Sequence, residues 1–138
     1  MMQVTYLTTG GEEFIGRNIK QYLGKNNCNA VTLDIDGKPD YMISVTDFHS
    51  LMDIDEKFDG IFHLAATTSA THGNSESMSR EEIIPRTYSN LYPITKIVDE
   101  YRARYYSVRR EVECISLPYF NTYGIGENSK AQYASVVW

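Results

Sequence analysis

A glycine-rich segment between a strand-like run and a helix-like run is the feature that most constrains how this chain can fold. Residues 4–7 are β-branched, aromatic or apolar and predict a short strand. Thr9-Gly10-Gly11 follows, and from residue 14 to residue 23 apolar side chains recur at helical spacing. A strand that passes through a glycine turn directly into a helix is typical of the first unit of a parallel sheet. The backbone N–H groups of such a turn can face a phosphate.

The same alternation continues along the chain. Further strands are predicted at residues 30–33, 41–45, 61–66 and 112–117, and helices at residues 47–52 and 92–108. Gly24 is predicted to end the first helix, and Asp47 to cap the second. Residues 67–79 are rich in Thr, Ser, Asn and Gly and predict a loop. The whole pattern predicts an α/β fold, a doubly wound parallel sheet with the glycine-turn strand at its centre.

Size and charge exclude several classes of protein. The 138 residues suit one domain over residues 1–138, and 42% hydrophobic with 22% charged residues is ordinary globular composition. A net charge of −5 argues against binding to nucleic acid or to an anionic membrane. No apolar run is long enough to span a bilayer. Cys28 and Cys114 lack metal-site spacing, so we expect no metal, and two reduced cysteines favour a cytoplasmic protein.

Two further motifs follow the glycine turn. His63-Leu64-Ala65-Ala66 ends the fourth predicted strand, and Tyr92-Pro93-Ile94-Thr95-Lys96 places a Tyr and a Lys on one helix face. In this order the three segments resemble the extended short-chain dehydrogenase/reductase family, closest to its branch of ADP-glycero-manno-heptose and UDP-glucose 4-epimerases. The resemblance implies a shortened Rossmann-like, NAD(P)-binding domain. It also implies an NAD-dependent epimerase or dehydratase that acts on a nucleotide sugar.

The resemblance assigns a cofactor site to these segments. The family's turn TGGxGFIG matches residues 9–16 except at Glu13, which replaces the middle glycine and brings a carboxylate near the pyrophosphate. Asp34 follows Gly16 at the distance where an acid binds the adenosine ribose, which favours NAD over NADP. An ordinary turn residue is the alternative interpretation of Asp34. The cofactor-binding residues implied by the resemblance are Gly10, Phe14, Ile15, Gly16, Asp34, Leu64, Ala65, Ala66 and Lys96.

The resemblance also assigns catalytic groups. Tyr92 would exchange a proton with a sugar hydroxyl while hydride moves to or from the nicotinamide, and Lys96 would favour the phenolate. Residues 68–73 resemble the family segment SAATYG, which puts the catalytic hydroxyl on Thr68, or on Ser69 in a register one residue along. An ordinary Thr/Ser-rich loop is the alternative. Residues 118–124 resemble RYFNVYG, which makes Asn121 a substrate contact.

Several departures from the family pattern bear on function. Besides Glu13, Ser44 stands where an adenine-binding Asp is usual, and Pro118 where an Arg is usual. Residue 67 opens the hydroxyl segment directly after HLAA, so a family helix is missing, and the family's C-terminal sugar-binding domain is expected to be absent. Two functions stay open: an NAD-dependent enzyme with reduced activity, or a non-catalytic nucleotide-binding or interaction module. Apolar surface left by the missing helix predicts a homo-oligomer or a partner protein.

Overall fold

Four parallel strands form the sheet around which the first part of the chain folds. The computed structural model describes residues 3–66, 92–117, 119 and 122–127. These residues belong to two compact units. The first holds residues 3–66 and 124–127, and the second holds residues 92–117, 119, 122 and 123. The sheet lies in the first unit, and one long helix lies in the second.

The first unit alternates strands and helices. Its elements in chain order are β1 (Thr5–Thr9), α1 (Phe14–Lys25), β2 (Asn29–Asp34), β3 (Tyr41–Met42), α2 (Phe48–Met52) and β4 (Gly60–His63). The strands are hydrogen-bonded in the order β3-β2-β1-β4, and every pair is parallel. The predicted α/β class is therefore confirmed. So is the interior position of the glycine-turn strand, since β1 lies between β2 and β4.

The two faces of this sheet carry different chemistry. On one face Leu7, Val31 and Leu33 form the buried core, and half-buried side chains from the segments after β2 and β3 pack against it: Tyr41, Ile43, Leu51, Ile54 and Phe58. On the opposite face Thr8 and Thr32 pair in register and are fully buried. Strand side chains alternate between faces, so the polar pair lies on the α1 side of the sheet, where Lys20 Nζ is 3.4 Å from Thr32 Oγ1.

Helix α1 ends at an asparagine rather than at its glycine. Asn27 has φ 57°, and the N–H groups of Cys28 and Asn27 donate to the carbonyl oxygens of Leu23 and Gly24 at 3.0 and 3.3 Å. This is the Schellman arrangement, in which Asn can replace the usual glycine. The prediction that Gly24 ends the helix was wrong, because Gly24 stays helical and Asn27 supplies the left-handed residue. The predicted Asp47 cap is confirmed by its bond from Ser50 N, 3.2 Å.

The outer strands are shorter and more exposed than predicted. β3 contains two residues rather than the five predicted, and β4 ends at His63, so Leu64, Ala65 and Ala66 lie beyond the strand. The prediction of a buried fourth strand was also wrong, because Ile61 is 63% exposed. β4 pairs with β1 on one side only among the described residues, so an apolar sequence does not make it an interior strand.

The second unit contains α3 (Tyr92–Arg110), which matches the predicted long helix and places Pro93 in its first turn. Glu111 follows in a left-handed conformation, with φ 54°. The strand predicted at residues 112–117 is not formed, and Val112, Ile115 and Leu117 are each more than half exposed. Strand propensity reflects packing on a pleated surface, and these residues have no paired strand in the part of the chain described. In the same part, no helix combines the length and the apolarity needed to cross a membrane.

Asp40 completes the hydrogen bonding of β2 beside the short strand β3. Its Oδ2 accepts from Thr32 N and Thr32 Oγ1, both at 2.8 Å, and lies 3.7 Å from Lys20 Nζ. Partial burial raises the pKa of Asp40, but the two bonds from Thr32 and the charge of Lys20 outweigh it, so the net pKa lies below the usual 3.8. The charged carboxylate is therefore the form that the fold favours.

We expect this carboxylate to make stability sensitive to acid. A carboxyl group whose pKa is lowered in the folded state stabilises the fold at neutral pH, and that contribution is lost as the pH falls through the folded-state pKa. The free energy of unfolding should fall more steeply as the pH drops below 3.8 in the wild-type protein than in Asp40→Asn. Urea denaturation of both proteins at neutral and acid pH measures the difference. Parallel curves would show that Asp40 has no such role.

Candidate functional site

Three strands of the first unit end side by side. β1 ends at Thr9, β2 at Asp34 and β4 at His63, and β1 lies between the other two. In open parallel sheets, ligands bind in the crevice outside the carboxyl ends of the strands. The residues that follow these three ends are the glycine turn, the loop that begins at Ile35, and Leu64-Ala65-Ala66. They form the candidate site.

The glycine turn and the start of α1 are packed too closely for side chains at three positions, Gly10, Gly11 and Gly16. Gly10 has φ 68°, and a Cβ placed there would lie 3.0 Å from Ala65 N. A Cβ on Gly16 would overlap the carbonyl oxygen of Gly10 and lie 2.7 Å from Gly11 Cα. The first turn of α1 is thus pressed against the glycine turn, and the turn is pressed against the chain that leaves β4. The three glycines are themselves buried, so their lack of a side chain serves the close packing of these three segments.

Asp34 is joined to the glycine turn through the backbone. Its Oδ2 accepts from Glu12 N at 2.9 Å, and its Oδ1 accepts from Ile35 N at 2.8 Å. The side chain is half-buried and is held by one amide on each oxygen. A carboxylate offers about four acceptor positions, so each oxygen keeps capacity for another donor. Two adjacent hydroxyl groups, as in a ribose, are donors that fit this arrangement.

The hydroxyl of Thr9 connects β1 to the segment after β4. Thr9 Oγ1 accepts from Leu64 N and Ala65 N at 3.1 and 3.2 Å, and it lies 2.8 Å from His63 Nδ1. The hydroxyl and Nδ1 share one hydrogen bond, and the tautomer of His63 sets which of the two atoms donates. Thr9 is 5% exposed, so the network is buried at its centre. Its hydrogen bonds fix Leu64 and Ala65 against the turn.

Negative charge surrounds the site. Glu13 is the N-cap residue of α1, but its exposed side chain makes no capping hydrogen bond. Glu12 Oε2 lies 3.8 Å from Arg17 Nε, and Asp34 and Asp36 lie in the neighbouring segment. The segments that form the site thus carry four carboxylates, and the guanidinium of Arg17 lies beside the carboxylate of Glu12. A helix N-terminus attracts anions, but these carboxylates oppose a ligand with several phosphate charges.

The predicted cofactor-binding residues fall into two groups. The structure brings together Gly10, Gly16, Asp34, Leu64 and Ala65, with Ala66 next along the chain. Phe14 and Ile15 lie in the first turn of α1. There Phe14 is 7% exposed and belongs to the packing of the unit, while Ile15 is half-buried. These eight residues all belong to the first unit.

The predicted catalytic residues belong to the second unit or lie outside the described residues. Tyr92 begins α3, and Lys96 lies one turn later with its Nζ 3.8 Å from Asp99 Oδ2. Thr68, its alternative Ser69 and the predicted substrate contact Asn121 lie outside the described residues. Tyr92 and Lys96 have the helical spacing that the prediction required. Among the described residues, no cluster of His, Cys, Asp and Glu side chains could hold a metal ion.

Sequence reasoning missed two contributors to this site. It gave Thr9 no role, although its hydroxyl ties the turn to Leu64 and Ala65. It also missed Glu12, whose amide holds the carboxylate of Asp34. For Thr9, the available signal was a threonine at a strand end. For Glu12, the residue type gives no signal, because its backbone amide makes the contact.

Comparisons with known protein families, with curated proteins and with solved structures find no match to this chain.

Proposed function

We propose that this chain is a Rossmann-like nucleotide-binding domain that binds NAD at its glycine turn and turns over nucleotide sugars weakly or not at all. The hydrogen bond from Glu12 N to Asp34 Oδ2 is the observation that carries the proposal. It joins the turn that would receive a pyrophosphate to the acid that would receive the adenosine ribose, at the carboxyl edge of a parallel sheet.

The geometry supports this assignment in a second way. The missing side chains at Gly10 and Gly16 let the turn pack backbone against backbone, which holds the first turn of α1 and the segment after β4 beside the glycine turn. The Thr9 network holds Leu64 and Ala65 beside that turn, where the resemblance to the short-chain dehydrogenase/reductase family implies the nicotinamide-side ribose. Both halves of an NAD molecule thus have a surface within one unit. The acid at Asp34 favours a free ribose hydroxyl over the phosphate of NADP.

Charge and composition support weak binding and weak catalysis. Glu13 replaces a family glycine at the position nearest the pyrophosphate, and Glu12, Asp34 and Asp36 add further negative charge. Catalysis needs its groups held to well within an ångström, and several of the family's residues are replaced. The alternative is an active NAD-dependent nucleotide-sugar epimerase or dehydratase. Tyr92 and Lys96, one turn apart at the start of α3, favour it.

NAD titration of three proteins tests the proposal. Glu13→Gly removes an exposed carboxylate that makes no capping bond and that bound NAD would bury beside its pyrophosphate, so we expect it to tighten NAD binding by roughly 1–3 kcal/mol without harm to the helix. Asp34→Asn keeps one acceptor, for Glu12 N, but turns an NH2 group toward Ile35 N and loses the charged acceptor for ribose, so we expect binding to weaken by roughly 1.5–3 kcal/mol. Isothermal titration calorimetry measures both changes.

Asp36→Asn is the matched control. It removes one carboxylate two residues after Asp34, where Asp36 Oδ1 accepts from Gly37 N at 2.7 Å. This variant should leave the affinity for NAD equal or slightly higher. Absence of binding by both the wild-type protein and Glu13→Gly would contradict the proposal. Conversion of a UDP- or ADP-sugar that disappears in Tyr92→Phe would establish the active enzyme instead.

A further inference from the structure

Helix α3 carries an exposed apolar stripe with the spacing of a coiled-coil seam. Ile94, Val98, Tyr101, Tyr105 and Val108 follow one another at intervals of four, three, four and three residues. This is the alternation of the a and d positions in a heptad. Their exposed fractions run from 40% at Ile94 to 82% at Val108, so the stripe faces outward along most of the helix. We call these five residues the α3 stripe.

The half-buried side chains of α3 lie outside the α3 stripe. They are Ile97, Ala103 and Ser107, and only Ile97 among them is large and apolar. In an amphipathic helix that is packed along its apolar side, the large apolar residues should be the covered ones. Here Tyr101 is 67% exposed and Tyr105 is 56% exposed. Large exposed aromatic side chains grouped on one face mark an interaction surface.

Basic side chains flank the α3 stripe. With Val98 and Tyr105 at a positions, Arg102 and Arg109 occupy e positions and Arg104 a g position, the places that face a partner helix. The guanidinium of Arg109 lies 5.8 Å from the centre of the Tyr105 ring. Arg102 Nη1 is 3.9 Å from Asp99 Oδ1, but both side chains are exposed, and exposed ion pairs contribute little to the stability of the fold.

The flanking charges decide between two occupants. A parallel second copy would place Arg104 opposite Arg109 of that copy, and an antiparallel copy would bring the e-position arginines together. Both arrangements are repulsive. Acidic residues at the e and g positions of a different helix would instead meet each arginine with an opposite charge. Independently of the nucleotide site, we propose that the α3 stripe binds an amphipathic helix of a partner protein that has an apolar seam and acidic flanks.

Two synthetic peptides test this proposal with the full chain. Both have three heptads with Leu or Ile at the a and d positions; one has Glu at every e and g position, and the other has Lys. Titration followed by tyrosine fluorescence should show that the Glu peptide binds at least about tenfold more tightly than the Lys peptide. The preference should shrink as salt is added, because the charges lie at the rim of the interface.

Variants of exposed residues separate charge from apolar contact. Arg102→Glu combined with Arg109→Glu should reverse the peptide preference. Arg110→Glu, the same substitution at a single position on another side of the helix, should leave it intact. Tyr101→Ala should weaken both peptides. Equal affinity for the two peptides, or no binding by either, would overturn the proposal.

Two experimental results would identify a different occupant of the α3 stripe. Sedimentation of the wild-type chain as a dimer that dissociates in Tyr101→Ala would identify a second copy as the occupant. Protection of Tyr101 and Tyr105 from a soluble quencher in the monomer, with no peptide bound, would show that the chain covers the stripe itself. Either result would refute an acidic partner helix.

Discussion

Gly16→Ala is expected to lower the free energy of unfolding by about 3 kcal/mol or more, since overpacking costs about 1–3 kcal/mol even where neighbours can shift. Here they are backbone: the added Cβ would overlap the carbonyl oxygen of Gly10 and lie 2.7 Å from Gly11 Cα. Relief requires moving α1 away from the turn, which would also separate the first amides of α1 from Gly10. Urea denaturation measures the loss, and NAD titration its effect on the site.

Gly24→Ala is the matched control in the same helix. Gly24 is helical, and nothing lies within 4 Å of a Cβ placed there. Alanine is a better helix former than glycine by roughly 0.8–1.0 kcal/mol, so this variant should be more stable than the wild-type protein. The two substitutions add the same methyl group to α1 and should change stability in opposite directions. If both variants lost a similar amount of stability, alanine in α1 would be destabilising for a reason other than contact with the glycine turn.

Thr9→Val is expected to destabilise the protein by about 2–3 kcal/mol, because a buried amide left without its acceptor costs about 1–3 kcal/mol. Ala65 N would lose the acceptor at 3.2 Å and His63 Nδ1 its partner at 2.8 Å, although Leu64 N keeps the carbonyl oxygen of Thr9. Thr9→Ser retains the hydroxyl and should recover most of the stability. Thermal and urea denaturation of the variants check both expectations.

The neighbouring substitution Thr8→Val should instead stabilise the protein. Thr8 is fully buried, and its hydroxyl has no hydrogen-bond partner among the described residues. Valine has nearly the same shape and removes an unsatisfied polar group, so we expect a gain of about 1 kcal/mol. Two adjacent threonines would thus respond to one substitution in opposite ways. Destabilisation by Thr8→Val would indicate that its hydroxyl has a partner that the described residues do not include.

Local patterns in the sequence predicted the features that depend on local physics. Helical spacing located α1 and α3, and the glycine turn predicted the tight passage from β1 into α1. Asp47 was predicted as a cap from residue type alone, and it accepts from Ser50 N. Spacing also selected Asp34, which the structure places beside the turn. For the helices, the turn and the cap, neighbours within a few residues determine the structure, whereas Asp34 contacts Glu12 across 22 positions of the sequence.

The errors arose where distant residues decide the outcome. The apolar run at residues 112–117 predicted a strand, but a strand needs a paired neighbour, and none is present in the described part of the chain. The burial of β4 depends on what lies on its outer side, which composition does not reveal. The role of Thr9 depends on the register that sets it beside residues 55 and 56 positions away in sequence. A single sequence contains no direct signal of that register.

The carboxylate of Asp40 has a consequence for how this protein behaves in a crowded solution. β3 pairs with only the last two residues of β2, so the amide of Thr32 would face outward on a strand otherwise open to pairing. Asp40 Oδ2 accepts a hydrogen bond from that amide at 2.8 Å and a second one from the hydroxyl of Thr32. A strand from another molecule would have to displace a charged side chain before it could add to the sheet. We therefore expect Asp40 to oppose strand addition at this edge, a task that many proteins give to a bulge or to a covering helix or loop.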